Sequence, residues 1–387
     1  MQRYNLTIEP LTVMHIGTGS KIEPHEYTVC ENKKNPDGLP LYLRIDFERI
    51  FENITEEKVK QRLFDVLTKS SDFVKFRTAL QKELPDYFEA HFMYGCHATY
   101  DFQEEFNQKY SNPNNELAVL EMYRPLHSKY SKLPFLPGSS IKGALRTAIL
   151  NKLANELNPA RTEKVKQGAS KAISRRVDTE FQQALLDYSD AKEDPFRTIQ
   201  ISDGKVQGKR PVLVGIAYNY SIKNGIPRDS TIPIYLEVVR GIFTEGDAKI
   251  QVTMSINRDL VPASKAFHKN HPDGKFKRIP FEIELQTIIN ACNAFYKKVW
   301  EGEFKKYFIE NSNNADLGIW ESLNREISKI GSNPNEFLLR VGRFSHFEAV
   351  TVEKFRERKV YGKSRTLFAY KDNLFPMGWA KVTLNGV

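Results

Sequence analysis

Two cations, Lys142 and Arg146, are the residues whose types and spacing most clearly suggest binding chemistry. An apolar run ends at Gly138, and a helix is predicted to begin there with a serine hydroxyl as its N-cap. Residues four apart share one face of a helix, so both cations would lie near its first turns. Because the helix macrodipole disfavours cations at that end, an anion bound at the free amides would resolve the conflict. The spacing therefore predicts a phosphate site at this helix start.

The expected phosphate site extends to the residues around the two cations. Ser139 or Ser140 would supply the cap, and Gly143 would let a ligand approach closely because glycine has no Cβ. The simpler alternative is a well-capped helix whose cations only face solvent. The candidate residues of this site are Ser139, Ser140, Lys142, Gly143 and Arg146.

A second candidate is a glycine-containing turn that follows the first predicted strand. His15, Gly17 and Gly19 form the turn, and Lys21 follows within reach. Glycine amides and a nearby lysine suit a phosphate, whereas the imidazole of His15 is a candidate general base or RNA contact. A histidine packed at the end of a strand is an equally good interpretation of His15.

A third candidate is a second glycine–arginine turn, far along the chain. Arg340, Gly342 and Arg343 follow an apolar, strand-like run. Ser345 and Glu348 then have the capping-box spacing that starts a helix. The order of strand, glycine, arginine and helix start repeats the order seen around the first candidate. The repetition predicts two sites, each made of backbone amides and an arginine, along one groove.

The hydrophobic pattern predicts both helices and strands to hold these candidates. Apolar residues recur every four positions after Gly138, at 145, 149, 153 and 157, which is typical of a buried helix face. Stretch 348–355 alternates enough to be a strand instead of a capped helix. The predicted strands are 4–14, 196–202, 211–220, 232–243 and 249–256, and the main predicted helices are 46–84, 281–309 and 317–330.

The pattern divides the chain into a core at 1–260 and a C-terminal α+β portion at 261–387. Within the core, the irregular and aromatic-rich range at about 50–130 is expected to be an insertion. Two further segments, at about 158–178 and 263–278, are rich in Lys and Arg and show no apolar period. The first of these is expected to be a mobile basic segment that follows a phosphate backbone.

The composition fits a globular protein, and its basic excess allows a polyanionic partner but also suits an ordinary basic protein. Lys and Arg number 57 against 48 acidic residues, which gives a net charge of +9. Cys30, Cys96 and Cys292 lie far apart, so neither a disulfide framework nor a zinc site is indicated, and no cofactor or metal is expected. His268 and His271 lack further ligands at suitable spacing. No apolar run reaches membrane length, so a cytoplasmic protein without membrane contact is expected.

Three motifs together resemble the RAMP superfamily, the RNA-binding subunits of CRISPR complexes. They are Val13-Met-His-Ile-Gly-Thr-Gly19, Leu136-Pro-Gly-Ser-Ser-Ile-Lys-Gly-Ala-Leu-Arg146 and Arg340-Val-Gly-Arg-Phe-Ser-His-Phe-Glu-Ala-Val-Thr-Val352. With the Phe-Pro-Met-Gly-Trp379 ending, the chain is similar to the RAMP subunit of type III-A (Csm) effector complexes that caps the backbone filament at the 3′ end of the crRNA. The resemblance extends over the whole chain, except that the range 50–130 carries little of it.

The resemblance implies an α+β fold with a ferredoxin-like (RRM-type) core and large helical and loop insertions. It also implies guide-RNA (crRNA) contacts by the candidate turns, and contacts with neighbouring backbone RAMP subunits and small helical subunits. Target RNA and a recruited ribonuclease are further expected partners. The RNA-binding residues are expected to be His15, Gly17, Gly19, Lys21, Ser139, Ser140, Lys142, Gly143, Arg146, Arg340, Gly342 and Arg343.

Three functions remain open at this point. The favoured one is a non-catalytic RNA-binding subunit that holds the 3′ part of the guide RNA. The second is a metal-independent RAMP endoribonuclease that processes precursor crRNA, with His15 as its general acid or base. That chemistry needs a second group to activate the 2′-hydroxyl, and none is identifiable by spacing. The third is a protein scaffold whose basic charge only keeps it in solution.

Overall fold

A computed structural model describes most of the 387-residue chain. The described residues are 1–35, 38–69, 90–111, 120–128, 132–160, 162–163, 165, 177–188, 191–223, 226–229, 232–258, 282–309, 317–356 and 364–385. The basic segment predicted at 158–178 lies largely outside these residues, and the one at 263–278 lies wholly outside them. The helical region predicted at 46–84 is described only as far as Lys69, and there it forms two helices, Phe47–Asn53 and Glu57–Lys69, instead of one.

Strands and helices are mixed along the chain, so the predicted α+β class is confirmed. The strands are β1 (Gln2–Pro10), β2 (Gly17–Ile22), β3 (Tyr27–Cys30), β4 (Leu41–Ile45), β5 (Phe92–Ala98), β6 (Met122–Pro125), β7 (Phe135–Leu136), β8 (Ile199–Ile201), β9 (Gly204–Gln207), β10 (Val212–Lys223), β11 (Ile226–Asp229), β12 (Ile234–Val239), β13 (Lys249–Ile256), β14 (Glu336–Arg340), β15 (Ser364–Tyr370), β16 (Asn373–Phe375) and β17 (Trp379–Asn385). The helices are α1 (Phe47–Asn53), α2 (Glu57–Lys69), α3 (Tyr100–Ser111), α4 (Gly138–Glu156), α5 (Val177–Leu186), α6 (Leu285–Glu303), α7 (Leu317–Lys329) and α8 (His346–Val350). A π-helical segment, Phe304–Ile309, extends α6.

The first sheet has β1 near its centre and is covered by two helices on one face. Its order is β14–β17–β1–β13–β9–β7, with β8 also paired to β13, and its pairings are antiparallel. Leu6 of β1 lies opposite Val252 of β13 and packs with Leu145 of α4 and Cys292 of α6 in one core cluster. Alternating apolar side chains on the strands therefore meet the apolar faces of α4 and α6.

The second sheet lies beside the first and packs against α3. Its main order is β2–β6–β12–β10–β5–β4–β3, while β11 and β15 also pair with β10, and β16 pairs with β15. Phe102 and Phe106 of α3 pack with Tyr27 and Tyr235 of this sheet. Strands β5 and β6 both fall within the range 50–130, so part of that range belongs to the second sheet, and α3 from the same range packs against it.

Helix α4 matches the strongest prediction from the sequence, although its start differs in detail. Leu145 and Ile149 of the predicted stripe are fully buried, whereas 153 and 157 are only partly buried against the same core. The N-cap is Pro137, so the prediction that a serine caps this helix is wrong. Both serines lie inside the first turn, because the helix already begins at Gly138.

The turn after β14 leads into a helix, α8, as the capping-box spacing predicted, but the capping box itself does not form. The Ser345 hydroxyl donates to the carbonyl of Gly342 at 2.7 Å and makes no cap bond. The side chain of Glu348 lies in the core beside Arg365. Residues 346–350 are therefore helical without the predicted cap, and a strand at 348–355 is not formed.

Two features are absent from the described residues. No helix among them has the length and apolar character needed to cross a bilayer. The same residues contain no cluster of three or more His, Cys, Asp or Glu side chains placed to hold a metal ion.

Candidate nucleic-acid interface

The short segment between β1 and β2 connects the two sheets and positions the glycine turn of His15, Gly17 and Gly19. Its Met14 amide donates to the Val239 carbonyl of β12 at 2.9 Å, and the Val239 amide donates back at 2.8 Å. The Gly378 amide donates to the Val13 carbonyl at 2.8 Å. Because a buried backbone group needs a partner, these bonds fix the path of the segment where it crosses between the sheets.

The glycine–arginine turn after β14 packs directly against this segment. The Arg343 amide donates to the His15 carbonyl at 2.7 Å. Gly342 has a φ of +97°, and a Cβ at this position would lie 2.6 Å from the same carbonyl oxygen, so only glycine permits the approach. On the other side, the Leu126 amide donates to the Ile16 carbonyl at 2.9 Å. The second and third candidate sites, the turns at His15–Gly19 and Gly342–Arg343, therefore form one surface, which we call the junction site.

The side chain of Arg343 is the most available cation of the junction site. Its guanidinium lies 4.2 Å from the ring centroid of Tyr123 and 4.9 Å from that of Phe344. Arg343 is exposed, and no described carboxylate forms an ion pair with it. Aromatic faces restrict a guanidinium while leaving its N–H donors available, which suits phosphate or base recognition. No local signal in the sequence pairs Tyr123 with Arg343.

Arg340 lies only three residues away but is buried in the core. Its side chain is 2% exposed and makes two hydrogen bonds to the Glu303 carboxylate, at 2.7 and 3.2 Å. Its guanidinium also stacks on Trp379, 4.7 Å from the ring centroid. The expectation that Arg340 contacts RNA is therefore corrected, because its guanidinium is buried and already paired with Glu303.

Glu303 accepts hydrogen bonds from a second buried arginine. The Nε of Arg365 lies 2.8 Å from Glu303 Oε1, and Arg365 also pairs with Glu348 at 3.2 Å. Burial by itself would raise the pKa of Glu303, but the charges of Arg340 and Arg365 outweigh it and hold that pKa below its usual value. Two arginines and two glutamates thus form an ion cluster beneath the junction site.

His346 lies against this ion cluster and gives the protein a predicted acid sensitivity. Burial, together with the charges of Arg340 and Arg365, lowers the pKa of His346 to about 3. The imidazole of His346 therefore binds a proton near pH 6.5 in the unfolded chain but only near pH 3 in the folded chain. This contribution to stability is complete above pH 6.5 and is lost as the pH falls towards 3, by about 1.4 kcal/mol per pH unit.

We expect the His346→Asn variant to lose stability less steeply than the wild type between pH 6 and pH 4.5. Asparagine cannot take up the proton and tolerates the positive φ of +60° at this position. Urea denaturation at several pH values measures both slopes. Parallel curves for the two proteins would show that His346 titrates normally in the folded state.

His15 is enclosed at the base of the junction site. It is 0% exposed, and its Nδ1 lies 2.8 Å from the Glu237 carbonyl oxygen, so Nδ1 carries the proton and donates. Burial lowers the pKa of His15 and keeps the ring neutral. A Cβ on Gly17 would lie 2.9 Å from His15 Nε2, so glycine makes room for the ring. These contacts favour the packed-histidine interpretation over direct RNA contact.

The rest of the turn that begins at His15 is exposed. Gly17 pairs with Pro125 of β6, and Gly19 has a φ of +83° with no atom within 4 Å of where a Cβ would lie. The Lys21 ammonium pairs with Glu121, and this hydrogen bond raises the pKa of Lys21. Gly17 and Gly19 are therefore accessible backbone, whereas the charge of Lys21 is already matched by a carboxylate.

The helix start at α4 receives its anions from the protein itself. Asp203 Oδ1 accepts from the Gly138 amide at 2.8 Å, and Asp194 pairs with Arg146 at 2.8 Å. The Lys142 ammonium donates to the Ile199 carbonyl at 2.8 Å, and burial lowers the pKa of Lys142. The expectation that both cations close on a bound phosphate is corrected, because each already has a protein partner.

Other residues at this helix start remain on the surface. Ser139 and Gly143 are exposed, and no atom lies within 4 Å of where a Cβ on Gly143 would be. A backbone bond at 3.0 Å from the Phe135 amide to the Leu126 carbonyl connects this region to the junction site. Phe135, three residues before the helix start, is thus about two strand spacings, roughly 10 Å, from Ile16. Ser140 lies beside Ser139 in the first helical turn.

Comparisons with known proteins agree with the motifs. A model of the RAMP superfamily matches residues 7–357. The CRISPR system Cms protein Csm5 of Streptococcus thermophilus is 23% identical over 276 residues, which cover 69% of this chain and 70% of the relative. The resemblance to a Csm-type RAMP subunit inferred from the sequence is therefore confirmed.

Solved structures share the fold across nearly the whole chain. The crystal structure of T.onnurineus Csm5 has a TM-score of 0.62 at 20% identity, covering 98% of this chain and 100% of that chain. A chain of the cryo-EM Csm–crRNA–target RNA ternary complex of a type III-A CRISPR-Cas system has a TM-score of 0.61 at 18% identity, covering 99% of this chain and 100% of that one. The chain belongs to the RAMP superfamily.

Proposed function

We propose that this protein is a non-catalytic RNA-binding subunit of a type III-A CRISPR effector complex. In this role it holds the 3′ part of the guide RNA and caps the backbone filament. The single observation that carries the proposal is Arg343, an exposed guanidinium beside two aromatic rings that has no carboxylate partner among the described residues. The junction site also includes accessible backbone at Gly17 and Gly19. The net charge of +9 favours a polyanion as the partner.

We also infer that the first sheet is a ferredoxin-like core. The order β17–β1–β13–β9 corresponds to a β-α-β-β-α-β unit in which α4 follows β1 and α6 follows β13. In this scheme, β14 is an added edge strand before the last strand of the unit. The antiparallel pairings of β1 with both β13 and β17 support this assignment.

The proposed partners follow from the relatives. One of the similar structures is a complex of Csm proteins with crRNA and target RNA, which supports those RNAs and other Csm subunits as partners of this chain. Neighbouring backbone RAMP subunits, small helical subunits and a recruited ribonuclease are proposed from the resemblance. We place the assembly in the cytoplasm. Co-purification from the native host, followed by sequencing of bound RNA and identification of bound proteins, tests all of these partners.

Binding to single-stranded RNA is expected to weaken strongly with salt. Each phosphate that the protein neutralises releases counterions, which contributes about 0.7 to the slope of log affinity against log salt for single strands. We expect a slope equivalent to several phosphate contacts and little dependence on base sequence. Filter binding over a salt series measures the slope. An affinity that stays constant with salt would favour the scaffold function instead.

The ribonuclease alternative depends on His15. The imidazole is fully buried, and its Nδ1 is committed to the Glu237 carbonyl, so a 2′-hydroxyl has no access to it in this structure. We therefore expect no RNA cleavage by the purified protein in the presence of EDTA. Metal-independent cleavage that disappears in His15→Ala while RNA binding persists would support the ribonuclease instead.

A further inference from the structure

A cleft of about 470 Å³ opens in the second sheet where β5 and β10 separate. These parallel strands pair only at His97 and Ala98 of β5. The earlier residues of β5 pair with β4 on one side and face the loop 208–212 across the cleft on the other. The split therefore leaves a space beside the unpaired part of β5 that neither the RAMP match nor the proposed function assigns.

Apolar side chains form one part of the lining of the cleft. Leu41, Leu43 and the ring of Phe92 line it, and Phe92 is 40% exposed. Gly95 also lines the cleft, and a Cβ at this position would lie 3.0 Å from Leu43 Cδ2 and 3.3 Å from Phe92 Cε2. The absence of a side chain at Gly95 thus lets Leu43 and Phe92 pack closely here, and the ring of Phe92 remains partly accessible.

The rim of the cleft carries two cations, Lys209 and Arg210, and both are exposed. The nearby carboxylate of Asp247 is used by the backbone instead, since it accepts from the Lys209 amide at 2.8 Å and the Arg210 amide at 3.2 Å. Gly208, with a φ of +145°, allows this turn. Asp247 therefore fixes the loop, and neither rim cation forms an ion pair with a carboxylate in the part of the chain that the structure describes.

The cleft and the junction site are close neighbours. Tyr94, which lines the cleft, makes an edge-to-face contact with His127 at 5.9 Å between ring centroids. His127 Nε2 lies 2.7 Å from the Glu237 carboxylate, and the carbonyl of the same Glu237 accepts from His15. Tyr94, His127 and Glu237 therefore connect the cleft to the junction site through consecutive contacts.

We propose that the cleft binds one nucleobase of the bound RNA, turned out of the strand, with its phosphate held by Lys209 and Arg210. The inference rests on the proposed RNA-binding function and adds a second subsite to it. A flat aromatic ligand with an attached anion matches the cleft in both respects. An accessible ring stacks on the base, and adjacent cations attract the phosphate. A purely apolar protein side chain would leave both cations unused.

The test compares two ligands of equal length, about 15 nucleotides. One is an oligouridylate, and the other is a ribose–phosphate chain that carries no bases. Phe92→Ala should weaken binding of the oligouridylate by at least about fivefold and leave binding of the base-free chain unchanged. Lys209→Ala with Arg210→Ala should weaken both ligands and lower the salt slope by about one unit or more. Phe64→Ala, which removes another exposed phenylalanine, is the matched control and should change neither.

The outcomes separate the cleft from the proposed function. If the wild-type protein does not bind RNA, both proposals are overturned. If it binds, and Arg343→Ala weakens binding while the Phe92 and Lys209/Arg210 variants do not, only the cleft proposal is overturned. The cleft proposal also fails if Phe92→Ala loses a neighbouring protein subunit on co-purification but binds the oligouridylate normally, because the cleft would then hold a protein side chain.

Discussion

Replacing Glu303 with alanine is expected to destabilise the protein by at least about 3–5 kcal/mol. Its carboxylate accepts from both Arg340 and Arg365, and all three side chains are at most 2% exposed. Removing the carboxylate leaves two buried guanidinium groups. Arg340 then loses its carboxylate partner, and Arg365 retains Glu348 as its carboxylate partner. Since a folded domain is stable by only about 5–15 kcal/mol, this loss is a large fraction of the total stability.

Urea denaturation at pH 7 measures this loss, and a neighbour on the same helix supplies the control. Glu301 is exposed, so Glu301→Ala should change the free energy of unfolding by no more than about 0.5 kcal/mol. Glu303→Gln keeps the shape of the side chain but not its charge, and it should fall between the two. If Glu303→Ala unfolds at the same urea concentration as Glu301→Ala, the ion cluster does not stabilise the fold.

Arg343→Ala is expected to weaken single-stranded RNA binding by about tenfold or more. A well-placed hydrogen bond to a charged group contributes about 1.5–3 kcal/mol, and the guanidinium of Arg343 has its donors available. The salt slope should fall by about one unit because one phosphate contact is lost. Folding should be unaffected, since the side chain is exposed and is held only by Tyr123 and Phe344.

Two variants make this prediction specific. Arg343→Lys keeps the charge but not the planar group that stacks on Tyr123, so it should recover the salt slope and only part of the affinity. Arg49→Ala removes another exposed arginine, whose side chain is 66% accessible, and should bind RNA as the wild type does. Equal losses in the Arg343→Ala and Arg49→Ala proteins would mean that binding depends on net charge alone.

Periodicity in the sequence identified the helices and strands that build the core, because local spacing determines which side chains share a face. Helix α4 and strands β1, β10, β12 and β13 all lie close to their predicted bounds. The pairing of strands into two sheets was not predictable in this way, since β1 bonds with strands that follow it by more than 240 residues. Such contacts leave no short-range pattern.

The candidate site shows the same division between local and distant information. The sequence located the glycine–arginine turn but did not distinguish its two arginines. What separates them is a partner that is distant along the chain, because Glu303 and Trp379 enclose Arg340, whereas Tyr123 leaves Arg343 exposed. At α4 the sequence predicted a need for negative charge correctly, but Asp194 and Asp203 supply it, and neither lies near the helix start in sequence.

The position of β1 in the first sheet has a consequence for synthesis on the ribosome. This strand emerges early, yet one of its two neighbours is β17, at Trp379–Asn385. At a synthesis rate of about 5–20 residues per second, the edge of β1 that pairs with β17 would stay unpaired for roughly 20–70 seconds. An unpaired strand edge is a template for association with other chains. Translation that stops before Trp379 should therefore release a chain prone to aggregation, whereas rapid completion protects it.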